Sequence, residues 1–338
     1  MPYFWYMPKK FFLDKKLNVL QLIMACSIVA TGLYVYNTQS TSQNAQSSTV
    51  EPQQMRTITD NKYTYTRPLR YVDVMMPSQK MDHIKKQITE TIGKGKSNGE
   101  LFQASVYISD LATGEWTAVN EQEGYHPGSL IKVPMMIHYL KRAEKNPAIL
   151  DQKIRLPHDA PPMPSHTFKS KTIQRGQAYT VRQLLEYMII DSDNYATLLL
   201  NTHCNIEEFT NMFSELNLSK PNITDTNYAM TIKEYSVFLR VLYDATLLNS
   251  DYSDYALSLL SRSTFDIGLT SKLPQGTIVA RKYGEYMIDR KRELHESGIV
   301  YCNQKPYLVT VMTKGYNAGI LAGVISQIST QIYTYFCN

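Results

Sequence analysis

Ser129 and Lys132 stand three positions apart in YHPGSLIKVPMMIHYLK, residues 125–141, where a Pro-Gly pair gives way to an apolar run at helical spacing. Side chains at i and i+3 share one helix face, so the amine can approach the serine oxygen and take its proton. A serine activated by an adjacent base can attack a carbonyl carbon and form an acyl-enzyme. A helix N-terminus adds backbone N–H groups that favour a developing oxyanion. A plainer reading fits the same residues: a hydroxyl that caps the helix and a lysine that snorkels out of it. Lysine is a poor base in water, with a pKa of about 10.4, and must be buried or set beside positive charge to serve as one.

Two more polar groups bear on the choice. Ser192, Asp193 and Asn194 lie in DSDNYATLLL, at the exit of a helix. Alone, three small polar residues at a helix end make a turn. Lys282, Tyr283 and Gly284 lie in ARKYGE, on a predicted strand. Lysine is also a common guard of edge strands.

The elements that must position these groups are legible in the periodicity. From about Arg67 the chain reads as globular. Met81, Ile84, Ile88 and Ile92 predict a helix over 78–92, broken by Gly93 to Gly99. FQASVYISDLATGEWTAVN predicts two strands around a turn at Ala112 to Gly114. The Ser129 helix ends near Asn146 and Pro147, and a Pro-rich loop, LPHDAPPMPSHTF, follows. Thr180 and Gln183 form a capping box ahead of a helix whose buried face carries Val181, Leu184, Leu185, Met188 and Ile189. Further helices are expected over 193–202, 206–216, 231–246 and 252–262. Strands then return in GTIVARKYGE, GIVYCNQ and PYLVTVMT, before a last helix, GILAGVISQISTQIYTYF. The order implies an α+β fold. Strands from both ends form one antiparallel sheet flanked by the terminal helices, with an all-helical subdomain inserted between them.

Joined in this order, Ser-x-x-Lys, Ser-Asp-Asn and Lys-x-Gly resemble the penicillin-recognising serine enzymes, and most of all the class A β-lactamase-like catalytic domain. YTVRQLLEYMIIDSDNYATLLL, LPQGTIVARKYGE and HESGIVYCNQKPYLVTVMTKG also look like that family's framework. The resemblance runs from about residue 80 to the C-terminus. It implies Ser129 as the acylated nucleophile, Lys132 as its base or proton relay, and Ser192 as the donor to the leaving nitrogen. It implies Asn194 as a partner of the substrate's amide side chain, and Lys282 as positive charge beside Ser192 and the substrate carboxylate. The backbone N–H groups of Ser129 and Glu285 would form the oxyanion hole, with Gly284 allowing close approach to the strand. The substrate class implied is a β-lactam or a cell-wall peptide, with no cofactor.

Two departures stand out. Tyr283 replaces the short hydroxyl residue expected between Lys282 and Gly284, which puts carboxylate recognition in doubt. The family's deacylating glutamate, in a Glu-x-x-Leu-Asn setting, is also missing: the nearest match, SELNL, puts Phe213 at that position. Asp225 is the sole acid in the following SKPNITDTNYAMT. Without such a base the acyl-enzyme would hydrolyse slowly. That keeps two rivals open: a DD-peptidase-like or slow penicillin-binding acylase, and a catalytically silent relative that binds wall peptides or a partner. His295 and Glu296, just before a predicted strand, read as structural.

At the N-terminus, Lys9, Lys10, Lys15 and Lys16 precede LNVLQLIMACSIVATGLYVY, a run without charge. It is long enough to span a bilayer. The lysine bias sets residues 1–16 in the cytoplasm, 17–36 as a type II anchor with Tyr34 and Tyr36 at the outer interface, and the catalytic domain outside. The apolar run continues past Cys26, which favours an uncleaved anchor over a lipoprotein cleavage site. Residues 37–66, rich in Ser, Thr and Gln, form a tether, and 67–338 the catalytic domain. A net charge of +5 without an arginine-rich stripe argues against nucleic acid. No CxxC or HExxH spacing points to a metal. Cys204, Cys302 and Cys337 allow one disulfide, whose pairing the sequence leaves open.

Overall fold

The computed structural model describes residues 64–66, 77–163, 167–168, 170–221, 228–288, 290–302 and 305–337. The expected anchor and cytoplasmic segment, nearly all of the tether, and Asp225 lie outside these residues. No helix among the described residues is long and apolar enough to cross a membrane.

Five antiparallel strands form the main sheet in the order β2-β1-β7-β6-β5. β1 (Gln103–Asp110) and β2 (Trp116–Val119) come early in the chain. β5 (Ile278–Ile288), β6 (Lys291–Tyr301) and β7 (Tyr307–Gly315) come late. The two groups join where β1 lies along β7, with Val106 opposite Val311. Alternation sorts the strand residues between two cores. Val106, Ile108, Val309 and Val311 pack with α1 (Asp82–Ser97) and α8 (Ala318–Cys337). Tyr107, Leu308, Ile299 and Met312 face the inserted helices.

That insertion comprises α2 (Lys132–Lys145), α3 (Val181–Ile190), α4 (Asn194–Thr202), α5 (Ile206–Glu215), α6 (Ile232–Tyr243) and α7 (Ser250–Ser261). Capping explains their starts. Thr180 accepts from Gln183 N while the Gln183 side chain accepts from Thr180 N, and Thr231 and Glu234 repeat the device.

Three expectations need correction. α1 runs through Gly93 and Gly95 to Ser97, because a helical glycine costs only about 1 kcal/mol and tertiary packing offsets it. The helix ends instead at Gly99, which is left-handed at φ +70°. β6 begins at Lys291, not Gly298, so His295 and Glu296 sit inside the strand rather than before it. A small sheet of β3 (Lys153–Arg155) and β4 (Ala178–Thr180) brackets the Pro-rich loop, where no strand is expected from sequence. Cys302 and Cys337 form a disulfide that ties the end of β6 to the end of α8, and Cys204 is free.

Candidate active site

Ser129 lies in a 3-10 turn, Gly128–Ile131, that runs directly into α2. No side chain caps the start of the turn or of α2, so the capping reading of Ser129 fails. The snorkelling reading of Lys132 fails as well, because the residue is only 3% exposed. Its amine donates to Ser192 O (2.5 Å) and Asn194 Oδ1 (2.9 Å) and lies 3.2 Å from Ser192 Oγ. Among the described residues no hydrogen bond joins it to the Ser129 hydroxyl. Burial pushes its pKa down to about 7, with Asp193 and Glu285 pulling the other way.

Ser192 occupies the connector between α3 and α4 with φ +58°, an uncommon conformation for a residue with a Cβ. The surroundings hold it there. Asp191 N and Asp193 N both donate to Tyr187 O at the end of α3, at 3.2 and 3.1 Å. The Asp193 carboxylate accepts from Ile173 N, Thr172 Oγ1 and Tyr195 N, at 2.8, 2.9 and 2.9 Å. From β5, Lys282 Nζ reaches Ser192 Oγ at 2.8 Å and Tyr283 O at 3.1 Å. Lys282 is fully buried. That burial, followed by repulsion from Lys132, holds its pKa well below the usual lysine value.

β5 is the edge strand of the sheet, and the Ser129 turn lies directly on it. A Cβ at Gly284 would sit 2.6 Å from Pro127 O and 2.8 Å from Leu130 N. One at Gly128 would sit 2.4 Å from Glu285 O and 3.1 Å from Glu285 N. Two glycines therefore let the main chains touch, which sets the backbones of Ser129 and Glu285 side by side. The loop before the turn is fastened to β6. His295 Nδ1 accepts from Thr313 N at 3.2 Å, so its Nε2–H donates to His126 O at 3.0 Å. Glu293 accepts from His126 N at 2.8 Å.

All the sequence-predicted groups are thus drawn to one place. The sequence model of the Beta-lactamase enzyme family matches residues 83–336. The chain belongs to the beta-lactamase enzyme family. Among solved structures, a beta-lactamase from Chitinophaga pinensis DSM 2588 superposes with a TM-score of 0.66 at 19% identity, covering 75% of this chain and 99% of that one. TLA-3 extended-spectrum beta-lactamase gives 0.66 at 18%, covering 75% and 98%. PBP-A gives 0.64 at 19%, covering 78% and 98%. At these identities the likeness is one of fold. A comparison with curated proteins finds no match.

Against that family frame, Phe213 is a core residue. It is fully buried at the end of α5, with its ring centroid 5.3 Å from Phe209 and 5.2 Å from Phe238. Tyr283 is 3% exposed and stacked on Phe265, centroids 4.2 Å apart and planes 16° apart, with Lys282 Nζ 4.4 Å from its ring centroid. Burial pushes its hydroxyl pKa up to about 12 and Glu285 adds to that, while a contact with Ser192 works against both.

Glu296, read from the sequence as structural, proves to be a buried carboxyl beside the site. It is fully buried in β6 opposite Tyr283 and accepts from Leu269 N at 2.6 Å. Its other oxygen lies 3.3 Å from Arg281 Nε. No sequence signal marked Phe265, because its stack on Tyr283 comes from a loop between α7 and β5.

Proposed function

We propose that this chain is a class A-type serine hydrolase whose Ser129 is acylated by β-lactam or peptidoglycan-like amides. The observation that carries the reading is the convergence of two buried amines, Lys132 and Lys282, on the single hydroxyl of Ser192, with Lys132 one helical turn after Ser129. A lysine held near pKa 7 is substantially neutral at physiological pH and can accept a proton.

In the proposed reaction Ser129 Oγ bonds to the substrate carbonyl carbon, and its proton passes to neutral Lys132 Nζ. The N–H groups of Ser129 and Glu285 hold the oxyanion, and Asn194 binds the acyl side chain's amide. The C–N bond then breaks as Ser192 Oγ protonates the nitrogen, and Lys132 returns a proton to Ser192. Lys282 keeps Ser192 oriented and adds positive charge. Water then cleaves the ester.

Phe213 favours a second reading for that last step. With an apolar core residue in place of the glutamate, deacylation would be slow and the protein would behave as a DD-peptidase-like or penicillin-binding acylase. One of the similar structures is a mutant of PBP-A in an acyl-enzyme complex with penicillin G.

The setting we infer is extracytoplasmic, with residues 17–36 as a type II membrane anchor. The lysine-flanked apolar run supports it, and so does the Cys302–Cys337 disulfide, since such bonds persist in oxidising compartments.

Intact-mass measurement of the full chain with a fluorescent penicillin tests the reading. An adduct lost in Ser129→Ala supports it. A transient adduct indicates a working β-lactamase, and one that persists for hours indicates the slow acylase. A folded protein that forms no adduct with several β-lactams and turns over no D-Ala-D-Ala peptide would overturn it in favour of a silent relative.

A further inference from the structure

The Ser129 turn is held by a side chain that the proposed reaction does not use. His126 precedes Pro127, whose φ of −64° and ψ of −20° fold the chain back so that Gly128 N meets the His126 ring. Gly128 N donates to His126 Nδ1 at 3.1 Å. Asparagine and aspartate close the same kind of turn with a side-chain oxygen. Here an imidazole nitrogen takes that place, and it accepts only while it carries no proton.

Neighbouring strands fix both the ring and its backbone. The ring stacks on Tyr286 of β5, with centroids 3.5 Å apart and planes 9° apart. On β6, His295 Nε2–H donates to His126 O at 3.0 Å. Glu293 Oε2 accepts from His126 N at 2.8 Å and lies 3.3 Å from His295 Nε2. On β7, Lys314 Nζ is 3.9 Å from Glu293 Oε1, donates to Gly124 O at 2.7 Å and pairs with Glu123 at 3.1 Å. Since Nδ1 accepts from Gly128 N, neutral His126 carries its proton on Nε2. Burial holds the ring below the usual histidine pKa against the pull of Glu293, and His295 adds to the lowering.

Gly128 is where this contact reaches the chemistry. Its φ is +52°, and a Cβ there would sit 2.4 Å from Glu285 O. The hydrogen bond therefore holds the residue that sets Ser129 against Glu285. Protonation of His126 would turn an Nδ1–H towards the Gly128 N–H, leaving two donors face to face.

We propose that His126 is a positioning residue for Ser129: its neutral Nδ1 holds Gly128 N–H and keeps the Ser129 turn seated on β5, and its protonation releases the turn. The effect on rate rests on the Ser129 acylation reading; the contact does not.

Two measurements on the full chain test it, chosen so that this proposal and the acylation reading fail separately. Long-range 1H–15N correlation between pH 4 and 8 reads the His126 tautomer without chemistry, its signal assigned by loss in His126→Asn. Nδ1 should be the unprotonated nitrogen, and the Gly128 amide shift should follow the titration of the ring. A ring protonated on Nδ1 at pH 8, or a Gly128 amide that ignores the titration, would overturn the proposal.

Acylation by a fluorescent penicillin, followed by intact mass, separates the hydrogen bond from the stack. His126→Asn keeps an acceptor for Gly128 N and gives up the stack. His126→Phe keeps a ring on Tyr286 and loses the acceptor. At pH 8 the Asn variant should stay within about threefold of wild type and the Phe variant should acylate about tenfold more slowly, as expected for one unsatisfied N–H. Below the fall caused by Lys132, wild type should show a second acid-side loss of about tenfold that both variants lack. A Phe variant as fast as the Asn variant, or the same acid-side profile in all three proteins, would overturn the positioning role. If wild type forms no adduct, the acylation reading fails, and the tautomer and the Gly128 amide still decide whether His126 holds the turn.

Discussion

Lys132 and Lys282 bring their amines to the same oxygen, Ser192 Oγ, at 3.2 and 2.8 Å, from the helix that follows Ser129 and from the edge strand of the sheet. Both amines are buried, and burial disfavours two ammonium ions on one hydroxyl, so at least one is neutral near pH 7. The acylation rate should therefore rise with pH through about 7, where Lys132 loses its proton. Replacing that base, as in Lys132→Met, should slow acylation by about 10²–10⁴-fold and remove the rise. Stopped-flow acylation between pH 5 and 9 reads both effects.

The same shift bears on stability. The folded-state pKa of Lys132 is depressed below its unfolded value of about 10.4. The stabilisation tied to its neutral form is thus present above the unfolded pKa and is lost as pH falls through about 7. Lys132→Met should flatten this dependence, and its stability relative to wild type should improve as pH falls from 10 to 6. Urea unfolding at several pH values checks the sign. A wild-type protein that gains stability on acidification relative to the variant would contradict a buried, neutral Lys132.

Contact between the Ser129 turn and β5 predicts a strict requirement for glycine. Gly284→Ala would press a methyl carbon to within 2.6 Å of Pro127 O and 2.8 Å of Leu130 N, both main-chain atoms. The turn must then lift away from the strand, at a cost of about 1–3 kcal/mol. Lifting it separates the N–H groups of Ser129 and Glu285, so acylation should fall by about 10²-fold or more even where the fold survives. Thermal unfolding together with acylation of the residual folded protein separates the two losses.

How far the sequence carried this site depended on the range of the signal. Ser129 and Lys132 were legible because their spacing is local, and the capped helix from Thr180 to Ile190 because its start and apolar stripe both follow local rules. Strand pairing was legible only as a class: alternation marks a strand but not which neighbour it takes. Even so, the joining of early and late strands held. The start of β6 was missed because ELHES lacks an apolar run; its buried polar groups find partners far off in sequence, Thr313 for His295 and Leu269 for Glu296. Gly93 and Gly95 misled for a related reason, since propensity is a weak prior against packing. The stack of Phe265 on Tyr283 and the pairing of Cys302 with Cys337 depend wholly on tertiary structure.

The disulfide predicts a stability effect that leaves the chemistry intact. Cys302 and Cys337 are 35 residues apart and enclose β7 and α8, which carry none of the site residues. Closing a loop of that length restricts the unfolded chain by about 3–4 kcal/mol in the chain-entropy account. Cys302→Ser with Cys337→Ser should lower the Tm by several degrees while the acylation rate at 20 °C stays close to wild type. Calorimetry with and without reductant reads the first effect. An equal loss of acylation would mean that α8 holds the site as well as the fold.

Glu296 gives a prediction of opposite pH sign. Burial pushes its carboxyl up to about 7, with Arg281 and the Leu269 N–H pulling down. A carboxyl whose folded pKa is raised above its unfolded value of about 4.3 contributes stability that is complete below that value and lost as pH rises through about 7. Glu296→Gln keeps an acceptor for Leu269 N and removes the titration, and Arg281 retains the carbonyls of Ser263 and Phe265. The variant should therefore be less sensitive than wild type to a change from pH 5 to pH 8. Glu296 also raises the pKa of Lys282, so its loss should leave that amine neutral over a wider range and weaken its hold on Ser192. Acylation should then fall modestly, by about threefold to tenfold, a range for one charged hydrogen bond made weaker. Unfolding curves at pH 5 and 8, with acylation rates on the same samples, check both arms. A variant that keeps the wild-type pH dependence of stability would show that Glu296 is already ionised throughout that range.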